Sequence, residues 1–292
     1  MTTTALEPCR ACAPSLPPMR YFVRRRLTNA AVTLAALGLV TWQTRRLELA
    51  LRPSAFFTGW ILLAIVAFCA LYNIRKRFPA LPIGSSAAWL QGHVYAALAS
   101  AGVLALHAPL RWPNGWLEGT LFALYAATML SGVVGLYWTR TLPRRLSRVS
   151  EEVIYERIPM LRGQLRDRAH NAVLTAVKTA GATTLGEFYR DRLHDFFERR
   201  RGWGYRLYPT MTRRKLLLAE LTEATRYFTD AEREIAEHLF SLVRRRDELD
   251  FHESLQWRLR AWLFVHIGLT LPLLLTAALH AWLAHAYDGS GA

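Results

Sequence analysis

The sequence predicts an all-α integral membrane protein, with five transmembrane helices and a helical cytoplasmic insertion between the fourth and the fifth. Three observations lead there. Hydrophobic residues make up 52% of the 292 residues and charged residues 20%, and the two populations occupy different stretches. Five stretches contain no Asp, Glu, Lys or Arg: 27–44, 53–74, 78–110, 119–139 and 261–287. A spanning helix needs roughly 17–25 apolar residues, and so many long uncharged runs are not a soluble pattern. Between the last two runs lies one long polar segment, 140–258, with 24 basic and 18 acidic residues.

Each segment has its own justification. Residues 1–26 form a flexible cytoplasmic tail, with no apolar run before Arg20 and hence no signal-peptide pattern. Residues 27–139 hold helices one to four. The first is the least apolar, with Asn29, Thr41 and Gln43 inside it, and the third starts near Ser86, after Pro79, Pro82 and Gly84. Trp42, Tyr72, Trp89, Trp116, Trp138 and Trp262 cluster near the ends of the runs, where an amphipathic ring sits half in lipid. In the 140–258 insertion, Ser150-Glu151-Glu152 starts a helix, and Gly181 with Thr183 and Thr184 marks a break. Arg201 to Pro209 reads as a turn or loop, and Thr212 caps the next helix. Thr229-Asp-Ala-Glu232 fits a capping box. No breaker follows before the fifth span at 259–287, so one helix can run from the cytoplasm into the membrane. Residues 288–292 are a short outer tail.

Basic residues set the orientation. With the N-terminus inside, 33 of the 37 Lys and Arg fall on the inner side, including Arg24–Arg26, Arg75–Arg77 and Arg140. The positive-inside rule then places the C-terminus outside, as in an integral protein of a bacterial inner (plasma) membrane. The net charge of +15 is thus a matter of topology. The mixed charge of the insertion is not a basic stripe, which argues against nucleic acid. No GxGxxG or Walker loop is present. Cys9-Arg-Ala-Cys12 is followed by Ala13 rather than His, so it is no c-type haem attachment site, and Cys69 reads as a small apolar filler.

The histidines carry the chemistry. His93 and His107 lie in the third span, His266 and His280 in the fifth, each pair 14 residues apart. Fourteen residues bring a helix within about 40° of four full turns and rise about 21 Å, so both rings project from nearly one face. Spans three and five run the same way. His93 and His266 therefore share the inner depth, and His107 and His280 the outer depth. Two facing imidazoles at one depth can supply the two axial nitrogens of a haem iron. Intramembrane ionisable groups are costly and tend to be functional, although a single one more often serves packing or a proton path. His285 lies off this face. His170, His194, His238 and His252 read as solvated. Gly92, Gly102, Gly132, Gly135 and Gly268 would let a macrocycle approach a backbone or, equally, let helices pack closely. Arg75, Lys76, Arg77 and Arg260 inside, and Arg45, Arg46, Arg52 and Arg111 outside, are candidates for the propionates or for interfacial snorkelling. Pro272 between the two ligands of span five would kink or loosen that helix.

The pattern His93-x13-His107 with His266-x13-His280 resembles the haem-binding core of dihaem transmembrane b-type cytochromes. These include cytochrome b subunits and the membrane domains of ferric reductases and NADPH oxidases. The likeness covers about residues 54–140 and 259–287. It implies two haem b groups in the helix bundle, the iron ligated by His93 and His266 inside and by His107 and His280 outside, and no separate catalytic residue. It implies transmembrane electron transfer by the membrane subunit of a redox system, a component of an oxidoreductase rather than a complete enzyme. Donor and acceptor would lie on redox partner proteins or a quinone, with a separate dehydrogenase on the cytoplasmic side. The chain departs from both branches: no flavin or NAD(P)H domain follows span five, no Pro-Glu-Trp-Tyr-type quinol motif is present, and the insertion is far longer. A haem-free membrane scaffold or assembly factor, binding a partner through 140–258, is the alternative from another class.

Overall fold

The structure is a computed structural model that describes residues 19–77, 84–108, 113, 115–146, 154–210 and 212–288. Every regular element among them is helical. Long helices are α1 (Met19–Leu49), α2 (Ser54–Arg77), α3 (Ser86–His107), α4 (Trp116–Leu146), α5 (Ile158–Ala180), α9 (Thr212–Ala224) and α10 (Asp230–Asp288). Short ones are α6 (Thr183–Phe188), α7 (His194–Glu198) and α8 (Trp203–Leu207), with a π-turn at Tyr189–Leu193 joining α6 to α7. The chain divides into two compact units, residues 1–129 with 269–292, and residues 130–268.

Four helices are long and apolar enough to cross a membrane: Ser54–Asn73, Ser86–His107, Trp116–Pro143 and the one within Glu232–Tyr287. Only 6–11% of the most apolar window of each is buried within the protein. Apolar surface left open on that scale is untenable in water and is what lipid-facing helices present. The first expected span, 27–44, is helical inside α1 but is not among the four. The reason is its polar content, which the structure satisfies internally. Thr28, Thr33, Thr41 and Thr44 each donate to the carbonyl four residues back in α1, at 2.8–2.9 Å. Asn29 donates across to Gln91 Oε1 of α3 at 3.1 Å.

Within the first unit, α3 packs against both α1 and α2. Ser85 caps α3 by accepting from Ala88 N at 3.2 Å. Leu37 of α1 fills the space over Gly102, and Phe68 of α2 lies over Gly92 and stacks on Trp89. Tyr125 of α4 meets Ser100 of α3 at 2.9 Å.

The second unit is built like a soluble helical domain. Ile158, Leu165, Ala169, Val173 and Ala176 repeat at three-and-four spacing and bury one stripe of α5. Ala236, Leu239, Leu242 and Val243 do the same on α10, and Leu185, Phe197 and Leu221 fill between. Gly181 ends α5 in the left-handed conformation at φ 62°, which glycine adopts without penalty. Ser150 to Val153 lie outside the described residues. Trp203–Leu207 is a helix, where the sequence suggests only a turn or loop. Gly202 before it and Gly204 within it give the turn signal, and five residues are too few for a periodic pattern.

The capping box at the start of α10 forms. Glu232 accepts from Thr229 N at 2.9 Å, and its own N–H donates to Thr229 Oγ1 at 3.4 Å. Glu232 is buried, and its second oxygen accepts from Leu185 N of α6 at 3.3 Å. Thr229→Ala is therefore expected to destabilise this unit by about 1 kcal/mol. Glu232→Ala, which also orphans the Leu185 N–H, should cost about 2–3 kcal/mol. Thermal unfolding of the two variants in detergent checks the order, and equal losses would deny the second role of Glu232.

The charges of α10 lie in its core stripe. Arg246, Asp247 and Asp250 are each at most 2% exposed. Asp250 accepts from Arg162 at 2.9 Å, from Arg201 at 3.2 Å and from Arg246. Asp247 takes Arg201 at 2.9 Å and Arg214 at 3.5 Å. Arg162 also pairs with Glu253. Tyr205 stands beside this cluster under the Arg201 guanidinium, and burial, with the nearby Asp247 carboxylate, raises its phenol above the ordinary tyrosine range.

Candidate functional site

All four candidate ligands lie on the helices the sequence assigns: His93 and His107 on α3, His266 and His280 on α10. His93, His107 and His280 belong to the first unit and His266 to the second. Each ring is partly buried.

His107 is positioned by α2. Its Nδ1 lies 3.0 Å from Thr58 Oγ1. The Ser54 and Ala55 carbonyls also lie 3.1 Å from the Thr58 hydroxyl; when its proton goes to one of them, its oxygen can accept from His107 Nδ1–H. Thr58 is fully buried. Gly59 beside it lets the α2 backbone lie against the ring, since a Cβ there would stand 3.1 Å from His107 Cε1.

His93 is held by the same helix one level away. Its Nδ1 lies 3.2 Å from the Cys69 carbonyl. A carbonyl only accepts, so Nδ1 carries the proton and Nε2 is the basic nitrogen of the neutral ring. The Cys69 thiol in turn points at the His93 carbonyl, 3.8 Å away, and the Tyr72 ring lies 5.5 Å from the imidazole. Cys69 thus does more than fill space, because its backbone sets the histidine tautomer.

His266 is positioned by α4. Its Nδ1 lies 3.3 Å from Ser131 Oγ, and the Ser131 carbonyl accepts from Trp262 Nε1 at 2.8 Å. Trp262 stacks on His266 one turn along α10, 5.5 Å between centroids. Gly132 faces His266, and Gly135 faces the Trp262 ring. A Cβ built on Gly135 would fall inside that ring, so this glycine seats a tryptophan. Gly135→Ala is expected to destabilise the protein by about 1–3 kcal/mol through overpacking. A melting temperature equal to that of the parent would show that Trp262 can move aside.

One reading is corrected. His252 is not solvated: it is 1% exposed, on the α10 face that packs into the second unit. Its neighbours Asp250 and Glu253 suggest a wet surface, but they are themselves drawn into the buried arginine cluster. Gly92, Gly102, Gly132 and Gly135 face the side chains of Phe68, Leu37, His266 and Trp262. His170, His194 and His238 are exposed. His285 accepts from Trp60 Nε1 at 3.0 Å through Nε2 and lies 5.1 Å from the Phe56 ring.

The propionate candidates divide. Arg260 is taken by Glu156 at 2.6 Å and lies over the Tyr155 ring. Arg45 pairs with Glu48 at 3.1 Å, and Arg46 lies over Trp42. The side chains of Arg75, Lys76 and Arg77, and residues Arg111, Cys9 and Cys12, lie outside the described residues. Pro272 sits within α10, which runs through it. Among the described residues no three His, Cys, Asp or Glu side chains come together as a metal site; an axial pair needs two.

Sequence reasoning missed Thr58, Gly59, Ser131 and the Cys69 carbonyl. Thr58-Gly59 and Ser131-Gly132 offered a signal, a hydroxyl beside a glycine on each neighbouring helix. Comparison with protein-family models, curated proteins and solved structures finds no match to this chain.

Proposed function

We propose that this chain is a b-type membrane cytochrome that passes electrons across a bilayer, with His93, His107, His266 and His280 as the axial ligands of two haems. One observation supports it most. Three of the four rings engage a neighbouring helix through Nδ1, to Thr58, Cys69 and Ser131. Histidines that bind metal through one ring nitrogen commonly donate the other N–H to a carbonyl, carboxylate or water, which fixes the tautomer and raises ligand basicity. For His93 the carbonyl acceptor makes Nε2 the basic nitrogen. The residues therefore fit a bis-histidine haem.

Haem bound there supplies one-electron exchange between ferric and ferrous iron. The chain's own residues do the rest. Thr58 and the Cys69 carbonyl hold two rings at fixed angles, and Ser131 with Trp262 holds a third. Apolar helices lower the local dielectric, which together with these hydrogen bonds tunes the potential. Electrons would come from and go to a quinone or partner proteins, with residues 140–258 seating a dehydrogenase. The basic-residue bias supports a bacterial inner membrane with the N-terminus in the cytoplasm.

The test is direct. The full chain, expressed with excess haem and purified in mild detergent, should show a b-type reduced-minus-oxidised spectrum and about two haems per chain. A haem-free protein would sink the proposal and leave the scaffold alternative.

A further inference from the structure

In the second unit, two helices lose their charge at one level. On α4 the apolar run ends at Trp138 and Thr139, followed by Arg140; on α10 it begins after Arg258 and Arg260. The Arg258 guanidinium lies over the Trp138 ring, 5.9 Å from its centroid. The two boundaries therefore coincide in space, and the level of Trp138 and Arg258 marks the edge of the apolar layer.

Helix α8 hangs at this edge. Trp203 packs edge-on against Trp257, 5.4 Å between centroids. Arg206 lies over both rings and reaches Glu253 at 3.6 Å. Arg258 Nη1 donates to the Leu207 carbonyl at 3.2 Å. Trp257 precedes Ala261 by four residues, about 6 Å of helix rise. Yet Trp203, Leu207 and Tyr208 are 68%, 48% and 79% exposed. The same unit buries Phe196, Phe197 and Leu193 almost completely, so these three are not leftovers of a poor core.

We propose that residues 203–208 form an interfacial foot that inserts into the headgroup–acyl boundary of the bilayer. Trp and Tyr prefer that zone because one end of the ring system is apolar and the other polar. Arg206, between the Trp203 and Trp257 rings and 22% exposed at its side chain, presents a cation that suits a layer of anionic headgroups. The foot is joined to α10 at the depth where α10 enters its apolar run, so it needs no movement to reach lipid. Its occupant is lipid rather than protein, because its exposed apolar groups continue the level fixed independently by α4 and α10.

The experiment uses the full chain with Cys9, Cys12 and Cys69 replaced by alanine. Single cysteines are placed by Leu207→Cys, Tyr208→Cys or, as a control on α5, Leu174→Cys, and labelled with an NBD fluorophore. Leu174 is 42% exposed. The labelled proteins are reconstituted in phosphatidylethanolamine–phosphatidylglycerol vesicles. Positions 207 and 208 should be quenched about two-fold or more more strongly than 174 by lipids carrying a nitroxide near the top of the acyl chain. They should also resist aqueous iodide. Iodide quenching equal to that at 174, without nitroxide quenching, would place the segment in water and overturn the proposal. Protection from both quenchers would mean a protein cover and would overturn it too.

Discussion

Asp250→Ala is expected to unfold the second unit, or to lower its stability by about 3–5 kcal/mol. Three guanidinium groups converge on this carboxylate, from Arg162, Arg201 and Arg246. Arg246 is fully buried and Arg162 nearly so. Removing the anion leaves their charge without compensation in a low-dielectric interior, where desolvation is expensive. Domains of this size hold only about 5–15 kcal/mol in total, so the loss is a large fraction of the whole. Asp250→Asn keeps the shape and some acceptor capacity and should fall between. Asp191→Ala removes an exposed pair with Arg190 and should leave the melting temperature where it was. Circular dichroism at 222 nm during heating, with limited proteolysis, reads all three. A full-stability Asp250→Ala protein would show that the cluster is not held by its anions.

If the chain holds two haems as proposed, His107→Ala should remove about half of the haem and half of the reduced α-band absorbance, because one of the two sites would lose a histidine that holds it. The pairing makes a sharper statement than the single change. His280→Ala should remove the same half, and the double variant should lose no more than either alone. His107→Ala with His93→Ala should lose nearly all. Residues that serve one centre are non-additive, whereas independent sites add. Thr58→Val tests the support. It keeps the imidazole but removes the hydroxyl that contacts His107 Nδ1, and on the proposed function should shift the potential of one haem while the haem count stays near two. Additive losses in the His107–His280 double variant would break the pairing even with haem present.

The apolar helices and the capping box were legible because each has a local cause. A run without charge needs no partner to be recognised, and Thr229-Asp-Ala-Glu232 carries its own hydrogen bonds. The buried arginine cluster was not legible from charge counts, which make 140–258 look like a solvated surface. A signal was there nonetheless. Ala236, Leu239, Val243, Arg246 and Asp250 follow spacings of three and four, so the charges sit in register with the apolar face. Their partners Arg162, Arg201 and Arg214 come from far along the chain, and no local pattern announces them. The candidate ligands could be picked by spacing, whereas Thr58, the Cys69 carbonyl and Ser131 could not. A residue that orients another across helices shows only once those helices are packed. Asn29 shows the same limit from the other side, since its polarity weakens the first span in sequence while Gln91 satisfies it in space.

Helix α10, of 59 residues, carries both late histidines. His266 follows His93 by 173 residues, and His280 follows His107 by the same number. At a synthesis rate of about 5–20 residues per second, each early ligand waits roughly 9–35 s for its counterpart to be made. The whole polar insertion leaves the ribosome within that interval. On the proposed function, neither haem site can be completed while the chain is still short. Cofactor loading then has to follow the synthesis of α10, and haem content becomes a readout of whether that helix was delivered into the membrane.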